Sequence, residues 1–191
     1  MTLAIINTQC ANLASLKFAI DRLGYECIVS NDINVLQKAD KLFLPGVGTA
    51  QKAMQSLKKL NLINFLQNTN KPLLGICLGM QLLGKYSKEL DQNTLACIDF
   101  DTIKFKNDLV IPHMGWNKVN SDNELFKGLN GAYFYFVHSY FVELNEYSIA
   151  SCDYGISFSA GVKYNNFYGV QFHPEKSSEA GEYLLKNFIT L

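Results

Sequence analysis

The sequence carries no surplus of charge: 17 Lys and Arg stand against 17 Asp and Glu in 191 residues. That balance leaves no electrostatic footprint for a nucleic-acid backbone. No polybasic run offers itself to an anionic membrane. Long apolar runs are missing too; the densest, residues 132–137, falls far short of the roughly 20 residues a bilayer crossing needs. The opening Met1-Thr2-Leu3-Ala4-Ile5-Ile6-Asn7 lacks a basic leader and reads as a first strand rather than a signal peptide. Cysteine is scarce and odd in number: Cys10, Cys27, Cys77, Cys97 and Cys152, with no C-x-x-C pair. That argues against a disulfide framework or a zinc knuckle and predicts a reducing, cytoplasmic setting. Three scattered histidines give no metal-ligand spacing, so neither metal nor cofactor is expected. No Pro-, Gly- or Ser-rich linker and no repeat interrupts the chain.

What is present suits one globular domain over residues 1–191. Hydrophobic residues make up 48% and aromatics 13%, the wrong composition for disorder. The first half alternates strand and helix signals. Strands are expected at 3–6, 25–29, 42–44 and 73–76, the third broken abruptly by Pro45-Gly46-Val47-Gly48. Asn12 is placed to cap a helix carrying Leu16, Ala19, Ile20 and Leu23 inward and ending at Gly24. Thr49 is placed to cap one carrying Ala53, Met54 and Leu57. Residues 62–66 and 78–83 read as helical. This β-α rhythm predicts an α/β fold: a mostly parallel central sheet with helices on both faces. The second half changes character. Strands at 98–105, 133–140, 149–152, 158–163 and 167–172 predict an antiparallel addition, and 179–189 a closing helix.

Gly75-Ile76-Cys77-Leu78-Gly79 is the strongest local signal. An apolar strand runs into a cysteine and a helix leaves it, with glycines two residues to either side. This is the logic of a nucleophile elbow, and a helix start beyond the sulfur favours thiolate. Taken alone, Cys77 reads equally well as a buried structural cysteine between packing glycines. A cysteine nucleophile needs a base. His173, in Phe172-His173-Pro174-Glu175, ends an apolar run and has a carboxylate two residues on that could hold its tautomer; the alternative is a chance His-Pro-Glu turn. His113 and His138 have no carboxylate close in sequence and read as histidines satisfied by core or loop hydrogen bonds. Two glycines in Pro45-Gly46-Val47-Gly48 allow backbone N–H groups to turn into a cleft opposite the N–H of Leu78, as an oxyanion site requires; the loop alone reads equally as an ordinary strand-to-helix turn. No Gly-Lys-Ser/Thr follows it, which excludes Walker-type phosphate binding.

Together, Leu44-Pro45-Gly46-Val47-Gly48, Gly75-Ile76-Cys77-Leu78-Gly79-Met80-Gln81 and Phe172-His173-Pro174-Glu175 resemble the class I, or triad, glutamine amidotransferases over nearly the whole chain. The resemblance implies that family's three-layer fold. It also implies a glutaminase in which Cys77 attacks the side-chain amide of glutamine, His173 protonates the departing ammonia and Glu175 orients His173. Val47, Gly48, Leu78, Gln81, Ser139 and Tyr140 would line the substrate and oxyanion region. The segments Pro112-His113-Met114-Gly115-Trp116-Asn117 and Tyr135-Phe136-Val137-His138-Ser139-Tyr140 look like the glutaminase subunits of imidazole glycerol phosphate synthases. That implies a (β/α)8 barrel cyclase as heterodimer partner, ammonia passing to an intermediate of histidine biosynthesis, and Asn12, Trp116, Tyr135 and Lys176 at the interface.

One stretch departs from the pattern. Where the family has Asp-Tyr-Gly-x-Gly-Asn after its first strand, this chain has Asn7-Thr8-Gln9-Cys10-Ala11-Asn12. The change keeps open a paralogous glutaminase that supplies ammonia for amidation of a surface sugar. An inactive scaffold protein is the non-enzyme alternative, opposed by the intact Cys77, His173 and Glu175.

Overall fold

The computed structural model describes residues 1–9, 11–106 and 109–191. Five parallel strands form the heart of the main sheet: β1 (Leu3–Ile6), β2 (Cys27–Ser30), β3 (Lys41–Gly46), β4 (Leu73–Cys77) and β13 (Phe167–Val170). β12 (Ser157–Tyr164) and β11 (Ser148–Asp153) extend it antiparallel, in the order β11-β12-β13-β4-β3-β1-β2. The expected mostly parallel sheet with an antiparallel addition is what the chain forms.

The central strands are apolar on both faces because both faces are covered. In β1, Leu3 and Ile5 point into one core while Ala4 and Ile6 point into the other. The first core is closed by α1 (Leu13–Arg22) and α6 (Ser178–Thr190). The second is closed by α2 (Ile33–Leu36), α3 (Ala50–Lys59), α4 (Ile63–Asn68) and α5 (Leu78–Leu82). Asn12 caps α1 by accepting from the Ser15 N–H at 3.4 Å, and Thr49 caps α3 by accepting from Lys52 at 3.4 Å. Each such cap is worth about 1 kcal/mol. Phe188 of α6 meets Phe43 edge-on, ring centroids 5.2 Å apart, and so ties the C-terminal helix to the sheet centre.

The fold corrects three expectations. β3 does not stop at Leu44 but runs on through Pro45 and Gly46, paired with Ile76 and Cys77 of β4. The Leu42 N–H donates to Pro72, so alternate residues of β3 turn their N–H toward β4, and Phe43 and Pro45 turn the other way. Pairing with β1 ends at Phe43, so Pro45 sits where no ladder donor is needed. The run 98–105 narrows to β7 (Asp101–Lys104), and 133–140 divides at Ser139 into β9 (Tyr133–His138) and β10 (Tyr140–Val142).

A smaller four-stranded sheet, β10-β7-β5-β6, uses the short β5 (Tyr86–Ser87) and β6 (Gln92–Asn93); within it β5 and β7 run parallel. A two-stranded ribbon joins β8 (His113–Lys118) to β9, with Trp116 opposite Tyr135 and His113 opposite His138. β8 escaped the sequence reading because its pattern is inverted. Its inward positions are His113, Gly115 and Asn117, while Met114 and Trp116 stand 66% and 52% exposed.

Candidate active site

Cys77 ends β4 and immediately precedes α5. Its backbone has φ 55° and ψ −112°, a conformation L residues rarely adopt. The turn is enforced by close packing. A Cβ on Gly79 would lie 1.7 Å from the Leu44 carbonyl oxygen, and one on Gly75 would lie 2.7 Å from the Gly79 carbonyl. Only glycine lets the strand and the following helix approach this closely. Leu78, as first residue of α5, has an N–H with no intrahelical acceptor.

Cys77 faces a cleft of about 330 Å³ lined by Val47, Gly48, Leu78, Gln81, Ser139, Tyr140 and His173. The expected substrate and oxyanion residues thus meet around one space. Gly48 has φ 90°, so its peptide is turned in a way a side chain would oppose. The sulfur lies 3.9 Å from the Val137 carbonyl and 3.8 Å from Nε2 of Gln171.

His173 follows β13, and its Nδ1 lies 2.8 Å from Oε1 of Glu175. The pair is nearly solvent-free, with side chains 3% and 7% exposed. Burial pushes the His173 pKa down; the neighbouring Cys77 sulfur and then the Glu175 carboxylate more than reverse this, raising it to about 10. Among the described residues, no group meets hydrogen-bond geometry at His173 Nε2. The sulfur thus acts on the ring as a hydrogen-bond partner not yet well aligned; such contacts often tighten only when substrate is bound.

The backbone around His173 is clamped. Its N–H donates to the Tyr135 carbonyl at 2.9 Å. Ser177 Oγ donates to the His173 carbonyl at 2.6 Å and accepts from the Tyr135 N–H at 2.9 Å. A Cβ on Gly181 of α6 would fall 1.9 Å from the Pro174 carbonyl oxygen, so α6 presses directly on the 3-10 turn Pro174–Lys176.

The residues expected at an interface divide into two groups. Trp116 and Tyr135 pack edge-on, ring centroids 6.2 Å apart, on the outward face of the ribbon. Asn12 and Lys176 flank a crevice of about 20 Å³ behind the His173–Glu175 pair. Of the altered Asn7–Asn12 stretch, Ala11 and Asn12 line it, and Cys10 is outside the described residues. Gln9, where the family pattern has glycine, nonetheless holds φ 59°.

His113 and His138 are internal, as expected for histidines held by hydrogen bonds. Nδ1 of His113 lies 3.0 Å from Nε2 of His138, and Nδ1 of His138 lies 2.8 Å from the Tyr140 carbonyl. Burial lowers their pKa values to about 4 and about 3. Sequence reasoning missed Glu89, Pro112, Val137 and the buried Gln171 as neighbours of the cleft or its sulfur. Gln171 had one usable signal: it stands two residues before His173, within the run 167–172 expected as a strand, although the strand ends at Val170. Glu89 had none.

The profile of the family described as "Glutamine amidotransferase class-I" matches residues 3–191. The chain is 64% identical, over 99% of its length and 98% of the relative's, to imidazole glycerol phosphate synthase subunit HisH 2 of Campylobacter jejuni strain RM1221. It is 53% identical, over 98% and 97%, to the HisH subunit of that synthase from Vibrio parahaemolyticus. Among solved structures, a putative GMP synthase protein from Thermoplasma acidophilum superposes with TM-score 0.75 at 21% identity, covering 100% of this chain and 92% of that one. Another, described as a glutamine amidotransferase, reaches TM-score 0.79 at 17% identity, covering 98% and 97%. At these identities the two structures establish a shared fold.

Proposed function

The chain belongs to the class-I glutamine amidotransferases, and from that premise we propose that it serves as the glutaminase subunit of an imidazole glycerol phosphate synthase. Cys77, as thiolate, attacks the side-chain carboxamide carbon of glutamine. The oxyanion is received by the N–H of Leu78 and by N–H groups of the Val47–Gly48 loop. His173 donates its proton to the leaving nitrogen, and ammonia departs. Water then attacks the thioester while His173 takes its proton, releasing glutamate and restoring the thiolate. Glu175 keeps Nδ1 of His173 protonated and the ring oriented throughout. Gln81, Ser139 and Tyr140 hold the substrate. The observation that carries this reading is the meeting of Cys77 and His173 at one cleft with Glu175 2.8 Å behind the imidazole.

The partner is a (β/α)8 cyclase subunit, which uses the ammonia to form imidazole glycerol phosphate and AICAR in histidine biosynthesis. This rests on the near full-length identity to proteins bearing that synthase's name. The exposed Met114, Trp116 and Tyr133, with Tyr135, supply an apolar surface for it; Asn12 and Lys176 supply its polar edge. The chain works as one glutaminase domain in a cytoplasmic heterodimer, with neither metal nor cofactor. In keeping with that setting, Cys27, Cys77, Cys97 and Cys152 are all free, and no helix among the described residues is long and apolar enough to cross a membrane. A second reading, a glutaminase serving a sugar amidotransferase, draws on the Asn7–Asn12 substitutions, of which Ala11 lines the Glu175 crevice.

The test is glutamate release from glutamine, with and without the same organism's histidine-pathway cyclase and its nucleotide ligand. Strong stimulation by the pair is expected. No stimulation, with Cys77 still labelled by a glutamine-analogue electrophile, would favour the sugar reading. Neither labelling nor release would leave the scaffold reading.

A further inference from the structure

A buried polar chain reaches the sulfur through Gln171, a residue the steps above do not use. Gln171 is fully buried. Its Oε1 lies 2.9 Å from Nε2 of Gln81, and its Nε2 lies 3.8 Å from Cys77 Sγ. Nε2 of Gln81 also donates to the Tyr140 carbonyl at 2.9 Å. That carbonyl meets Nδ1 of His138 at 2.8 Å; His138 Nε2 meets His113 Nδ1 at 3.0 Å; and His113 Nε2 meets Asn117 Nδ2 at 3.4 Å.

The chain has one polarity. A backbone carbonyl only accepts. Tyr140 therefore requires a proton on Nδ1 of His138 and the nitrogen of the Gln81 amide turned toward it. The same NH2 group faces Gln171, which must answer with oxygen. The nitrogen of Gln171 is left pointing at the sulfur. From the other end, His138, protonated at Nδ1, accepts at Nε2 from His113, and His113 accepts at Nε2 from Asn117. Flipping the Gln171 amide would set two donors face to face where no water reaches. The amide orientation at the nucleophile is thus decided by a carbonyl two links away.

We propose that Gln171 is a positioning residue for the nucleophile: its side-chain N–H donates to Cys77 Sγ, stabilises the thiolate and holds the sulfur toward His173. This rests on the glutaminase reading insofar as Cys77 is the attacking group. A hydrogen bond to the charged form favours that form, and a fully buried amide N–H has no solvent to turn to instead. The other titratable groups sharing the cleft are His173, His138, Tyr140 and Glu89, so a change confined to Gln171 leaves them in place.

The experiment follows the rate of Cys77 alkylation by iodoacetamide against pH in the full chain, beside steady-state glutaminase kinetics with the cyclase. In Gln171→Leu the alkylation midpoint is expected to rise by about one pH unit, and kcat to fall about tenfold with KM within about twofold. Gln171→Glu keeps the shape but sets a carboxylate against the sulfur; its midpoint is expected to rise further. A residue that merely fills space would lower the melting temperature and leave the alkylation profile unmoved, and that result in either folded variant would overturn the proposal. The unaltered chain supplies a measurement that needs no variant to fold. The side-chain amide signals of Gln171, followed by nitrogen NMR, should titrate with the alkylation midpoint; signals flat across it would also overturn the proposal. Alkylation is read without glutamine, so a chain that alkylates normally but releases no glutamate would sink the glutaminase reading while still testing Gln171.

Discussion

His173 and Glu175 hold each other across a single proline, Nδ1 to Oε1 at 2.8 Å, with the 3-10 turn Pro174–Lys176 keeping the carboxylate beside the ring. Glu175→Gln removes the charge and keeps the shape. It should cut kcat by about a hundredfold or more, by analogy with the loss of a triad carboxylate, with a much smaller effect on KM. Steady-state glutamate release with the cyclase present checks this; an unchanged kcat would refute the orienting role.

The three histidines give opposite pH dependences on either side of about pH 6.5. His173 has its pKa raised to about 10, so above the unfolded value of about 6.5 the native state holds a proton the unfolded chain has lost. Its stabilisation is complete below about 6.5 and lost as pH rises toward 10. His113 and His138 have pKa values lowered to about 4 and about 3, so below about 6.5 the unfolded chain binds protons the native pair refuses. Their contribution is present above that pH and lost as pH falls. Urea unfolding between pH 5 and 9 should show a histidine-dependent maximum near 6.5. In Glu175→Gln the alkaline fall should be shallower.

Cys77 holds a positive φ that L residues rarely adopt. Cys77→Ala and Cys77→Gly should both abolish glutamate release. Only the glycine variant relieves the φ 55° backbone. It should be more stable than the alanine variant by about 1 kcal/mol, despite glycine's greater freedom when unfolded. Equal denaturation midpoints would mean that the elbow is not strained.

Gly181 tests how far the site depends on α6. A methyl group there would sit 1.9 Å from the Pro174 carbonyl oxygen, which is backbone and cannot swing aside. Gly181→Ala should cost about 3 kcal/mol or more. In whatever fraction stays folded it should also depress kcat, because the turn carrying Glu175 must shift. Thermal melts and activity per folded molecule separate the two effects.

Trp116 projects from the ribbon at 52% exposure and does not reach the cleft. Trp116→Ala should lower the melting temperature by only a few degrees, since half of the side chain is already exposed. It should weaken cyclase binding by about tenfold or more if this face is the interface. Titration calorimetry with the cyclase reads this directly; unchanged affinity would move the interface elsewhere.

Local pattern was enough to read the layered core and the candidate chemistry. Strands apolar on both faces, capped helices at Asn12 and Thr49, and glycines flanking Cys77 are local signals, each with a local physical cause. His173 and Glu175 were legible for the same reason, since two residues and a proline place a carboxylate beside an imidazole without help from the rest of the chain. Packing settled whatever depends on partners remote in sequence. Pro45 could stay in β3 only because β1 has already ended beside it. β8 hid its strand by turning Met114 and Trp116 outward and His113 and Asn117 inward, the reverse of the pattern burial normally writes. Gln171 acquires its donor orientation from the Tyr140 carbonyl through Gln81, and no local pattern encodes a hydrogen-bond polarity that joins β10, α5 and the segment after β13.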